Sequence, residues 1–309
     1  MVASLRRLRQ EYHQELIDLG VLAVTESGVA SNADSSQKTS KAIALSIAEQ
    51  LGVKPGGEKL AGQTAGHVFE ATTTRFLSRV LAEFSHIVAP GTEIEHVVKR
   101  GHGFYLAEFV PYLHLKQLAG AVESDPTLST VLGNSYDISP DVIMTKAPQP
   151  DAYFNDGALR VDDSVAALTP RRLVNNEAKF VEAIISCKWT LRSDRAQNAR
   201  SEALNIIRNR KGRTPNIVVV TGEPTPSRLA SLALGTGDID MVYHFALPEL
   251  QKAVAASGND EAASMLEVIC TGFSSDPVHW KQTKKSKGTS PMPTKYPQEL
   301  KTRALRLLA

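Results

Sequence analysis

The spacing of apolar positions divides the chain into a helical first part and an alternating second part. Leu5, Leu8, Tyr12, Leu16 and Leu19 recur at helical intervals with charges between them, which predicts an amphipathic helix over 3–19. Residues 27–40, SGVASNADSSQKTS, are rich in Ser, Asn and Asp and read as a loop with turn chemistry. A second helix is expected over 41–53, stopped by Pro55-Gly56-Gly57. A longer one is expected from about Thr64 to Ser85, with Val68, Phe76, Leu77, Val80, Leu81 and Phe84 as its apolar stripe. Residues 103–124 mix apolar and polar positions and read as partly helical.

The pattern changes after 139. SPDVIMTKAP (139–148) reads as a short strand, and Val181–Trp189 is an apolar, β-branched run of the central-strand kind. Helical spacing returns over 191–212, and NIVVVTG (216–222) is an unbroken apolar strand that must be covered on both faces. A helix over 225–235, a strand over 240–246 and helices over 247–258 and 260–270 complete the series. Beyond them come the basic loop KQTKKSKG (281–288) and a C-terminal helix from about Gln298. This alternation predicts an α/β fold, a central mixed β-sheet flanked by helices, with additional helices before it. No repeat or long linker divides the chain, so one unit over 1–309 is expected, its core at about 139–258.

Composition narrows the partners. The net charge of +2 and 6% aromatic residues exclude a polycation and argue against a single-strand stacking platform. Cys187 and Cys270 form no CxxC pair, so neither a redox motif nor a structural zinc site is expected. The N-terminus MVASLRRLRQEYHQEL has no apolar core of a signal peptide, and no run of about 18 apolar residues exists. A soluble cytoplasmic protein with no membrane association is the expectation. GVKPGGEK fails as a phosphate loop because Glu58 follows Gly57, and Gly235-Thr236-Gly237 is only a fragment of a dinucleotide fingerprint. No nucleotide cofactor is expected. The histidines form no HExxH, and no GxSxG elbow exists.

The remaining chemistry sits near the predicted sheet. Asp141 follows Pro140 at a strand start; Ser186-Cys187-Lys188 ends the central strand; Glu202 lies in the helix after it. Alternation puts Ser186 and Lys188 on one face and Cys187 on the other. A lysine ending an apolar strand needs an anionic partner. Two carboxylates and an ammonium suit metal-assisted phosphodiester hydrolysis: Asp141 and Glu202 as ligands of a hard cation such as Mg²⁺, Lys188 orienting water or offsetting developing charge. The carbonyl of Cys187 is a further candidate ligand. Read singly, each residue has an ordinary reading as a turn, edge or surface residue.

Arg192, Asp194 and Arg195 follow at a helix start. Arginine can donate to guanine O6 and N7, and aspartate can accept from cytosine N4. The same residues in isolation would read as a local ion-pair network. Over 192–213 seven basic residues face two acidic ones, the expected footprint of phosphate contacts.

This combination resembles the PD-(D/E)xK nuclease superfamily, in the rearranged form of type II restriction endonucleases that cleave CCGG-containing sites. There the acid two positions before the lysine is replaced, here by Ser186, and the carboxylate comes from the next helix, here Glu202. Within that group the chain is most similar to the NgoMIV-type enzymes. The resemblance implies a restriction-endonuclease-like core and Mg²⁺-dependent cleavage of double-stranded DNA at GCCGGC after the first G. Four-base 5′ overhangs with 5′-phosphate ends would result. It implies Glu70 as a further acidic residue at the active site, and Asp34, Ser36 and Gln63 as contacts to the outer G·C pair. A palindromic site implies at least a dimer of this chain, and relatives of this kind often form homotetramers. The alternatives are a structure-specific repair or recombination nuclease of the same fold, a DNA-binding module without catalysis, and an α/β enzyme acting on a small molecule.

Overall fold

The computed structural model describes residues 3–97, 105–125, 127–128, 130, 140–191, 193–234 and 237–271, and for 123, 193–195 and 271 the backbone alone. Arg192, Gly235-Thr236, the basic loop at 281–288 and the helix expected from Gln298 lie outside the described residues.

Three helices lead: α1 (Ser4–Asp18), α2 (Lys38–Gln50) and α3 (Gly62–Glu83). Strand β1 (Thr92–His96), a short 3-10 turn (Tyr105–Glu108), α4 (Leu115–Ser124), β2 (Val142–Lys146) and the single turn α5 (Asp151–Phe154) follow. The alternating part is β3 (Phe180–Lys188), α6 (Ser193–Asn209), β4 (Asn216–Thr221), α7 (Pro226–Ala233), β5 (Met241–His244), α8 (Leu247–Ala256) and α9 (Asp260–Thr271). The sheet order is β1-β2-β3-β4-β5. The first two pairings are antiparallel and the last two parallel, so the sheet is mixed, as the alternation predicts.

β3 is central. Its buried run Ala183–Cys187 lies between Val142 and Ile143 of β2 and Val218–Val220 of β4. The parallel step from β3 to β4 requires a crossover, which α6 supplies, burying Ala199, Ala203 and Ile206. α1 and α3 pack together through the Tyr12 hydroxyl on Thr73 Oγ1 at 3.0 Å and the stacked rings of Tyr12 and Phe76. Apolar packing is continuous from Tyr12 to Leu266.

Two elements differ from expectation. β1 reads TEIEH, whose charges gave no apolar run; as an edge strand it needs little burial. Its Glu95 is held by Thr145 Oγ1 at 3.2 Å and Lys179 Nζ at 3.1 Å. On α3 the buried positions are Ala65, Phe69, Thr72, Thr73 and Thr74, while the expected stripe is only half-buried. Phe69 turns inward because its ring packs on Trp189, 5.0 Å between centroids. That rotation brings Glu70, its neighbour, toward the end of β3.

Candidate active site

Strand register fixes the first contacts. Val142 pairs with Ile185 in an antiparallel ladder, so Asp141, one residue earlier, comes beside Ser186. Asp141 is buried, and its Oδ2 accepts the Cys187 N–H at 2.8 Å and the Lys188 ammonium at 3.1 Å. The Ser186 hydroxyl lies 3.4 Å from the same oxygen. Glu202 arrives from α6, at the flank of that helix's buried stripe. Its Oε2 lies 3.2 Å from Ser186 Oγ and 3.7 Å from Lys188 Nζ. Asp141, Ser186, Lys188 and Glu202, far apart in sequence, thus meet at the carboxyl end of β3.

The electrostatics follow from that convergence. Burial alone would push the Lys188 ammonium down, but Asp141 and Glu202 overcome it and hold it above the usual lysine value. Lys188 is therefore a fixed cation. Glu70 is pushed above the usual carboxylate range by burial and then by the charge of Asp141. Its Oε2 is 3.3 Å from His67 Nδ1 and 3.6 Å from His96 Nε2. Burial raises the Cys187 thiol well above its ordinary value, with Asp141 and Glu70 adding to it, so the side chain is an inert core group.

The donor set fits a hard divalent cation. Two carboxylates converge on one hydroxyl, with strand backbone beside them. Among the described residues no three His, Cys, Asp or Glu side chains cluster as a ligand group. Mg²⁺ takes oxygen ligands and commonly uses one or two carboxylates, water and phosphate filling the rest.

The other expected site residues lie further out. Asp34 caps its own turn, accepting the Ser36 N–H at 3.0 Å and hydroxyl at 2.6 Å, while its other oxygen pairs with Arg228. The Ser36 hydrogen bonds and then Arg228 hold the Asp34 carboxyl well below the usual range. Gln63 is the second residue of α3 and exposed. Asp194 and Arg195 occupy the first turn of α6, with side chains outside the described set, as Arg192 is entirely. The sequence reading passed over Arg228, and also Glu223, which lies just past β4. The signal existed: Glu223 follows the apolar run NIVVVTG as Lys188 ends the run before it.

Comparison with known proteins decides the family. The family model described as the NgoMIV restriction enzyme matches residues 12–276. The type II restriction enzyme NgoMIV of Neisseria gonorrhoeae is 44% identical over 264 residues, 85% of this chain and 92% of its own length. This chain belongs to the NgoMIV restriction enzyme family. It is a type II, sequence-specific deoxyribonuclease acting on double-stranded DNA, and its five-stranded mixed sheet is consistent with the restriction-endonuclease-like fold. Among the described residues no helix is long and apolar enough to cross a membrane.

Proposed function

We propose that this NgoMIV-family enzyme, a single endonuclease unit working in the cytoplasm, cleaves GCCGGC after the first G and leaves four-base 5′ overhangs. Convergence of Asp141, Lys188 and Glu202 at the end of β3 is the observation that carries the chemistry. Asp141 and Glu202, with the Cys187 carbonyl, would hold Mg²⁺, which when bound supplies polarisation of the scissile phosphate. Lys188 orients the attacking water and offsets charge on the phosphoryl oxygens; its two carboxylate neighbours keep it protonated and hold it in place. Ser186 holds the Asp141 and Glu202 carboxylates at a common point, and Glu70, whose carboxyl feels the charge of Asp141, is the further acid beside them. Water attacks phosphorus in line, the P–O3′ bond breaks, and a 5′-phosphate and a 3′-hydroxyl remain.

Recognition is divided between two segments. Arg192, Asp194 and Arg195 read the CCGG core, two base pairs per subunit. Asp34, Ser36 and Gln63 serve the outer pair. Asp34 bound to Arg228 sets an acceptor beside a donor fork, complementary to the major-groove edge of G·C.

Twofold symmetry of the site calls for a dimer, and we read the assembly as a homotetramer. Between β2 and β3, Leu159, Val165, Leu168 and Val174 are exposed, Leu168 by 93%. The segment bearing them is braced by the buried Arg172, which bonds the Asp151 carboxylate and the Asp162 carbonyl. A firmly held apolar surface suits a partner copy. Sedimentation with cognate DNA should give a tetramer; a monomer would contradict both symmetry and assembly. Cleavage of a sequenced plasmid in Mg²⁺, with end sequencing, tests the specificity. Discrete fragments ending 5′-CCGG are expected, and a smear or cuts at other sites would reject it.

A further inference from the structure

The turn from β4 into α7 joins segments nearly 200 residues apart in sequence, and a buried acid sits at its centre. Glu223 is 1% exposed. Its Oε2 accepts the Leu191 N–H at 2.9 Å and lies 3.5 Å from Arg228 Nη1, while Oε1 accepts the Thr225 N–H at 3.1 Å. Leu191 lies in the connection between β3 and α6, two residues before Ser193, so Glu223 anchors the approach to the start of α6. Arg228 uses its other terminal nitrogen to hold Asp34. The same turn grips both neighbours again. The Gly222 carbonyl accepts Asn32 Nδ2 at 2.7 Å, two residues from Asp34. Trp189 lies so close to Gly222 that a Cβ there would meet its ring at 2.6 Å.

Burying a carboxylate is costly, and an apolar side chain could have filled the space. Glu223 has no contact with the Asp141 cluster among the described residues, so catalysis gives no reason for it. Its partners do: one leads to the start of α6 and the other to the Asp34 loop.

We propose that Glu223 is a positioning residue for sequence discrimination, holding the start of α6 and the Asp34–Arg228 pair in one frame. This rests on the reading that α6 begins with the inner-pair contacts and that Asp34 serves the outer pair. Base pairs stack at a fixed rise of about 3.4 Å, so two sets of contacts read neighbouring pairs together only at a fixed spacing between the sets.

The test measures single-turnover cleavage of the cognate site against sites with one substituted pair, at an inner or at the outer position. Glu223→Gln keeps the side chain's size but turns an amide N–H toward donors it must accept from. It should lower discrimination by about tenfold at both positions, whereas Asp34→Asn should lower it at the outer position alone. A merely structural role would slow all sites in proportion and leave the ratios unchanged; that result overturns the inference. Relaxation of the outer position alone by Glu223→Gln overturns it too. Glu223→Asp should recover part of the loss. If Glu223→Gln does not fold, Arg228→Lys decides, because a point charge cannot bridge both acids. Loss at both positions supports the coupling, and loss only at the outer one contradicts it. Absence of discrimination in the unsubstituted enzyme would instead overturn the recognition reading and the coupling with it.

Discussion

The cluster at the end of β3 and the turn after β4 are both polar groups set into an apolar sheet, but they are built differently. In the first, one oxygen of Asp141 takes the Ser186, Cys187 and Lys188 contacts, Glu202 adds its own to Ser186, and these partners come from adjacent strands plus one helix. In the second, Glu223 and Gly222 tie the loops at Leu191 and Asn32, about 160 residues apart in sequence, by side-chain to backbone bonds. Strand register makes the first rigid, as chemistry on a phosphate requires. The second is only as firm as its individual bonds, as suits a frame whose task is spacing. Damage to the first should cost rate; damage to the second should cost stability and selectivity.

The largest effect separates rate from binding. Lys188→Ala should slow single-turnover cleavage by about 10²–10³-fold while gel shifts with cognate DNA stay largely intact. Equal loss of both would mean that the lysine belongs to binding and not to chemistry.

Acid should loosen the second region. The imidazole of His244, at the end of β5 beside the Glu223 turn, is pushed down to about 4 by burial, and burial lowers His13 as well. A histidine with a lowered folded value binds its proton more readily when unfolded. Its stabilisation is complete above about pH 6.5 and is lost as pH falls toward 4. Up to about 3 kcal/mol of stability should disappear across that window, read from urea midpoints, and His244→Gln should flatten the slope. An unchanged slope would remove the histidine from this role.

Gly222→Ala comes next. The added Cβ would strike the Trp189 ring and backbone, costing about 1–3 kcal/mol of stability. Equilibrium unfolding measures it, and a neutral substitution would show that the Trp189 packing yields easily. The smallest effect belongs to Ser186→Ala. It removes a neutral hydroxyl near two carboxylates and should change the cleavage rate by less than about tenfold.

These two regions were not equally legible in sequence. Asp141 and Glu202 entered through the combination and the family it resembles. Ser186 and Lys188 could be placed together because alternation along one strand tells which residues share a face, and a charge ending an apolar run demands a partner. The sheet was legible for the same reason: β2 to β5 are apolar runs. β1 was not, since an edge strand can be built from charged residues. Nor was the inner face of α3, where threonines and Phe69 replace the aliphatic stripe, because the choice of face depends on Trp189, which arrives from β3. Glu223 and Arg228 escaped because their partners lie about 30 and 190 residues away, on loops with no periodicity.

Glu202→Gln, assayed for cleavage in Mg²⁺ and for specific binding in Ca²⁺, tests the convergence at the end of β3 most directly. Cutting should fall by about a thousandfold with the cognate complex still formed, since a neutral amide is a poor ligand for a hard cation. Cutting within a few-fold of the unsubstituted enzyme would show that the carboxylate from α6 takes no part in the reaction.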